Sequence, residues 1–167
     1  MKLLQKPPRI KVLEAAGSLG DGRVRMVGAD EALVTSSTGE REYHVKVVVE
    51  DGSVIRAYSD DNGTLHRSYV GYPILAVLMM KGVLPVDNDV VKAMRGVPWK
   101  ELNERYGRYS VVEGIVVNRA EKMGVSRSVI DDYVNLIMKK LGLLKIYFDE
   151  DLAPKPPRPA RPSRSSP

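Results

Sequence analysis

The sequence predicts an α+β fold, and three features predict it. The first seventy or so residues break into short runs rich in valine, isoleucine, threonine and tyrosine; a continuously apolar stretch follows at Tyr72–Met80; beyond it, glycines and prolines recur at helix-length intervals. The expected architecture is an N-terminal antiparallel β-sheet, a buried central helix, and a C-terminal helical bundle ending in a strand. Residues 1–68 make up the β region and 69–148 the helical region, packed together as one domain. Residues 149–167 form a Pro/Arg-rich tail expected to be disordered.

The strand runs are Arg9–Ala16, Arg23–Gly28, Glu31–Ser36, Tyr43–Glu50, Ser53–Asp60 and Thr64–Ser68. Turn formers separate them, among them Gly20-Asp21-Gly22, Ser37-Thr38-Gly39 and Asp60-Asp61-Asn62-Gly63. Asp51-Gly52 suits a two-residue hairpin loop, whose central residues take positive φ. That loop pairs Val49 with Val54, Val47 with Arg56 and Val45 with Tyr58. It also places Tyr43, Val45, Val47 and Val49 on one face suited to burial.

The apolar run from Val70 to Gly82 falls short of the roughly 20 residues that cross a bilayer, so it reads as a buried helix. Pro73 fits its first turn and Gly82 ends it. Asp87 caps a helix to Arg95 that Gly96 closes, and Pro98 opens one to Tyr106 that Gly107 closes. Ser110 and Glu113 read as a capping box for a helix to Met123, closed by Gly124. Ser126 caps the last helix, which runs to Leu141 and stops at Gly142; Leu143–Phe148 is a strand.

Around the last turn, Ala120 stands four residues before Gly124, Val125 follows it, Ile130 comes five residues after Val125, and Tyr133 three after that. This spacing resembles a helix-turn-helix, and the order helix, helix, turn, helix, then KKLGLLKIYF resembles a winged-helix domain over residues 98–148. The resemblance implies that small Ala120 lets two helices approach, that Gly124 takes the left-handed turn, and that Ile130 anchors the second helix. It also implies a nucleic-acid face at Ser126, Arg127, Ser128, Asp131, Asp132 and Asn135, where the two adjacent carboxylates repel phosphate. No second wing strand follows, because Asp149-Glu150-Asp151 leads into the tail. The same residues also suit a three-helix packing unit with glycine C-caps, or an acidic docking face for another protein.

Charge is unevenly placed. The chain carries 26 basic and 21 acidic residues, a net of +5. Lys155, Arg158, Arg161 and Arg164 account for +4 of it with no acid among them, which leaves the body of the chain nearly neutral. The high pI is therefore a property of the tail, whose prolines favour an extended polyproline form. Candidate nucleic-acid contacts are Arg127, Asn135, Lys139 and Lys140 in the helical unit and those four tail cations.

Absent residue types exclude several chemistries. With no cysteine there is no disulfide scaffold, no thiolate zinc or iron–sulfur site and no thiol nucleophile. The glycines of Gly17-Ser18-Leu19-Gly20-Asp21-Gly22 are not followed by the lysine-serine pair of a phosphate loop, and no nucleophile elbow or metal-spaced histidine pair occurs. No cofactor and no metal are expected. Asp60-Asp61-Asn62-Gly63-Thr64 with His66 is the one imaginable metal or acid–base turn. These are also the residues a tight turn demands, so asparagine at 60 and 61 should leave the fold intact. Neither an apolar leader nor an arginine-rich transit peptide opens the chain, which points to the cytoplasm. The lack of cysteine and the 28% charged residues are thermophile-like. The expected function is a non-catalytic cytoplasmic binding protein associated with nucleic acid or a ribonucleoprotein. A protein–protein adaptor is the alternative, and a small metal-dependent hydrolase using the Asp60–His66 turn is third.

Overall fold

The computed structural model describes residues 1–156. Its fold is α+β. Six strands form one sheet in the spatial order β1 (Lys2–Leu3), β6 (Lys145–Phe148), β5 (Val54–Ser59), β4 (Glu42–Val49), β3 (Glu31–Thr35), β2 (Val24–Met26). All neighbours are antiparallel except β5 and β6. A parallel pair needs a long crossover. Here the whole helical region supplies it: α2 (Asn62–His66), α3 (Tyr72–Met80), α4 (Asn88–Ala93), α5 (Trp99–Tyr106), α6 (Tyr109–Lys122) and α7 (Arg127–Leu141). Leaving the sheet at Ser59 and returning at Lys145, the chain folds sheet and helices around a shared core, in which Val45 and Ile55 belong with Val77, Val116 and Ile137.

Arg9–Ala16 is a helix, not a strand: α1 spans Ile10–Gly20 and packs against α3, α4 and α6. Ile10 and Val12 imitate the alternation of a strand, but Glu14-Ala15-Ala16 are strong helix formers. Burial on almost every side from Ile10 to Ser18 hides any two-residue periodicity. Thr64–Ser68 is also not a strand. Asp61 accepts a hydrogen bond from the Thr64 backbone N–H and thereby caps the short α2.

The β4–β5 hairpin is one residue longer than expected. Val49 pairs with Ile55, Val47 with Ala57 and Val45 with Ser59, and Gly52 does not take positive φ. Asp51 Oδ1 instead accepts from the N–H groups of Ser53 and Val54, which holds a wider turn. Tyr43, Val45 and Val47 face inward as expected, while Val49 lies exposed at the hairpin end.

The later helices follow their punctuation closely. Asp87 caps α4, Ser126 caps α7, and Gly82, Gly96, Gly107 and Gly124 all take positive φ at helix ends. The Ser110–Glu113 capping box does not form, because α6 starts at Tyr109 and Glu113 lies 3.6 Å from Arg9. The last strand is not a wing either: β6 sits inside the sheet between β1 and β5. No helix among the described residues is long and apolar enough to cross a membrane.

Candidate functional site

α1 carries a carboxylate into the interior. Glu14 is only 3% exposed, and a buried carboxylate is costly unless partnered. Lys11, one turn back on α1, brings Nζ to 2.8 Å from Oε2, and Asn103 Nδ2 on α5 donates to Oε1 at 2.8 Å. Burial works against the Lys11 charge, but the Glu14 charge and hydrogen bond outweigh it and hold the ammonium above the usual lysine range. A carboxylate can only accept, so Asn103 must turn its nitrogen toward Glu14. Its Oδ1 is left a buried acceptor without a partner among the described residues, and the buried Trp99 Nε1 likewise lacks an acceptor.

All four residues line a cleft of about 500 Å³ formed by α1, the β3–β4 turn and the starts of α2, α3, α5 and α6. Aromatic rings supply much of its wall. Tyr43 and Tyr72 meet edge to face with centroids 6.3 Å apart, and Trp99 and Tyr109 complete the set. Cations lie over three of these rings: Arg41 at 5.6 Å from the Tyr43 ring, Arg23 at 6.0 Å from Tyr72, and Lys11 at 5.0 Å from Tyr109. Lys100, at the first turn of α5, adds a further cation to the lining.

Burial is the main force raising the pKa of Tyr43 and Tyr72, against Arg41 and Arg23 respectively. Tyr69, behind the cleft, is pushed up to about 12, chiefly by burial and with help from Tyr109, while Lys11 pulls the other way. These phenols therefore stay protonated at neutral pH. The cleft presents ring faces, hydrogen-bond donors and acceptors, and charges of both signs, Lys11, Arg41 and Lys100 beside Glu14 and Glu104. Neither histidine lines it.

The sequence from 4 to 147 matches the family described as "Uncharacterised conserved protein UCP014422". The chain belongs to this family. The matched region takes in every cleft residue named above and stops short of the cationic tail. No significant match is found among curated proteins or solved structures.

The site residues expected from the sequence lie elsewhere on this family member. Arg127 is exposed at the start of α7, 3.5 Å from Glu121. Asn135 Oδ1 accepts from Arg9 Nη1 at 2.5 Å, and Asp131 lies 3.4 Å from the same guanidinium, so both are engaged by the α1 side of the molecule. Lys139 and Lys140 are exposed in the last turn of α7, and Lys155 is exposed beyond the sheet. None of these lines the cleft. Arg158, Arg161 and Arg164 lie outside the described residues. Ala120 and Ile130 are fully buried, and Gly124 has φ +88°.

At the Asp60–His66 turn, Asp60 accepts from the His44 N–H at 2.9 Å. Asp61 is buried and accepts from Ser59 Oγ at 2.5 Å, Thr64 N at 3.1 Å and Thr64 Oγ1 at 2.8 Å. Asp60 thus ties the turn to β4, and Asp61 holds the turn's own hydroxyls and a backbone N–H. His66 is exposed, and among the described residues no three histidine, aspartate or glutamate side chains gather to hold a metal.

Sequence reasoning missed the cleft because its residues come from widely separated segments, from Lys11 to Tyr109, with no spacing to link them. One local signal existed. Gly17 lies mid-helix in α1, and a Cβ there would stand 2.8 Å from Trp99 Nε1. A helix-interior glycine implies a close neighbour, here the ring that helps line the cleft.

Proposed function

We propose that the protein is a non-catalytic binding protein for single-stranded nucleic acid, acting in the cytoplasm and engaging bases in the Trp99 cleft. The observation that carries this reading is the convergence of Tyr43, Tyr72 and Tyr109 with Lys11, Arg41 and Lys100 in one cleft, whose floor is the buried Trp99. Single strands are held where aromatic side chains stack on unpaired bases and cations follow the backbone. A duplex keeps its bases stacked and cannot offer them to such a cleft.

This reading moves the contact away from the helix-turn-helix-like unit. On that unit Asp131 and Asn135 are tied to Arg9, and Asp132 offers negative charge where phosphate would lie. A ribonucleoprotein partner is compatible with the same cleft. The adaptor reading draws on a different surface, an acidic groove between α4 and α7. The hydrolase reading draws no support from the Asp60–His66 turn, whose carboxylates bind local backbone and hydroxyl groups.

Fluorescence anisotropy with labelled single-stranded and duplex oligonucleotides tests the proposal. Arg41 and Lys100, the cleft cations not tied to Glu14, predict a salt slope of about −1.4 for single strands. Arg41→Ala with Lys100→Ala should flatten that slope. Equal binding of duplex, or no binding of single strands at micromolar protein in low salt, would overturn it.

A further inference from the structure

We infer that the protein pairs with a second copy of itself through the exposed face of α7, the two helices lying antiparallel about a twofold axis at Leu136. Val129 and Leu143 each stand seven residues from Leu136, close to two helical turns, so the three share one side of the helix. Leu143 belongs to the row although α7 ends at Leu141. Gly142 keeps helical angles, φ −64° and ψ −19°, and the Leu143 N–H reaches the Lys140 carbonyl at 3.0 Å. Val129, Leu136 and Leu143 are 38%, 42% and 72% exposed, while Ile130, Val134, Ile137 and Leu141 hold the other side of the helix in the core. An open apolar row repeating every seven residues is what one helix offers another.

The charges along this row select the occupant. Asp132 stands four residues before Leu136 and Lys140 four after it, the spacing that places side chains on one helix face, and both are exposed. A half-turn about Leu136 therefore brings Asp132 of each copy to Lys140 of the other, and Val129 of each to Leu143 of the other. Leu136 meets its own counterpart. Parallel helices would instead oppose aspartate with aspartate and lysine with lysine, which is repulsive.

The surroundings repeat this polarity. Beside Val129 and Leu136 runs a groove of about 520 Å³, lined also by Val86, Asp87 and Asp89 and by neither lysine nor arginine. At the other end Lys139 is exposed next to Lys140, and a Cβ at Gly142 would lie 2.9 Å from Lys6 Nζ. A surface acidic at one end and basic at the other is complementary to its own antiparallel copy, as a twofold contact requires. A helix of this length spans only about 22 Å. The seam therefore belongs with interfaces below about 1,200 Å², whose pairing depends on concentration and salt. None of its residues lines the Trp99 cleft, so the inference stands apart from the binding proposed there.

Sedimentation velocity of the full-length protein over a micromolar concentration range tests the inference. At low salt a monomer–dimer equilibrium is expected, shifting to monomer in high salt. Leu136→Glu sets two carboxylates against each other on the axis and should abolish the dimer while circular dichroism stays that of the folded chain. Charge reversal supplies an independent readout. Asp132→Lys and Lys140→Asp should each lose the dimer alone, because like charges then meet twice. An equimolar mixture of these two variants should recover it, because every charge pair across the mixed seam is again opposite. A wild type that stays monomeric throughout the range, a dimer that survives Leu136→Glu, or a mixture that stays monomeric would overturn the inference.

Discussion

Gly17 controls how closely α5 can approach α1, since any Cβ there would stand 2.8 Å from Trp99 Nε1 and 3.2 Å from the Met94 carbonyl. An indole wedged in a core cannot retreat as a flexible side chain can. Gly17→Ala is therefore expected to destabilise the protein by about 1–3 kcal/mol through overpacking. It should also red-shift the emission of the only tryptophan as the ring is displaced toward water. Urea denaturation followed by fluorescence checks both. Asp60 and Asp61 make the same point about burial. As a pair they read as equivalent turn formers, yet Asp61 is 5% exposed and accepts from two residues' hydroxyls and a backbone N–H, whereas Asp60 accepts a single N–H. Asp61→Asn turns an amide N–H₂ toward donors and should cost about 1–3 kcal/mol, while Asp60→Asn should leave the melting temperature nearly unchanged. The sequence identifies both as turn residues, but it does not reveal which one the tertiary structure encloses.

Between elements, the best-read feature is the α6–α7 connection. Val125 N–H bonds the Ala120 carbonyl at 3.0 Å and Gly124 N–H bonds that of Glu121 at 3.0 Å, a Schellman ending that requires the left-handed residue at 124. Nothing lies within 4 Å of a Cβ at Gly124, so the penalty for substitution there is backbone strain alone. Gly124→Val should lower stability by about 1–2 kcal/mol, measured by thermal unfolding, without moving the α7 core residues Ile130 and Ile137. Such local codes were legible because caps and glycines act over four residues. α1 was not, because its eight buried residues owe their state to α3, α4 and α6, which no local pattern announces. The hairpin register failed for a related reason: the Asp51 side chain, rather than Gly52 φ, decides the loop length.

At the scale of the whole molecule, the α+β class and the order of the helices from α3 to α7 could be read from the sequence, but α1, α2, the parallel return of β6 and the cleft could not. The last two depend on contacts between residues far apart in the chain, such as Ile55 with Ile146 and Glu14 with Asn103. The cleft leaves a pH signature. Lys11 and Tyr69 have folded-state pKa values above their ordinary 10.5 and 10.0, so each holds its proton more tightly when folded. Their stabilisation is complete below those ordinary values and is lost as pH rises through the folded ones. The melting temperature should fall once pH exceeds about 10, and Tyr69→Phe should make that fall shallower.

Trp99 offers the most direct test of the central claim, because the only tryptophan of the chain lines the cleft where bases are proposed to bind. Its emission should change saturably when an unlabelled single-stranded oligodeoxythymidine is titrated into the full-length protein at low salt. The change should be absent with duplex of the same length, and it should weaken when Tyr109→Ala removes one wall. A flat emission with single strands, or an equal response to duplex, would contradict the account.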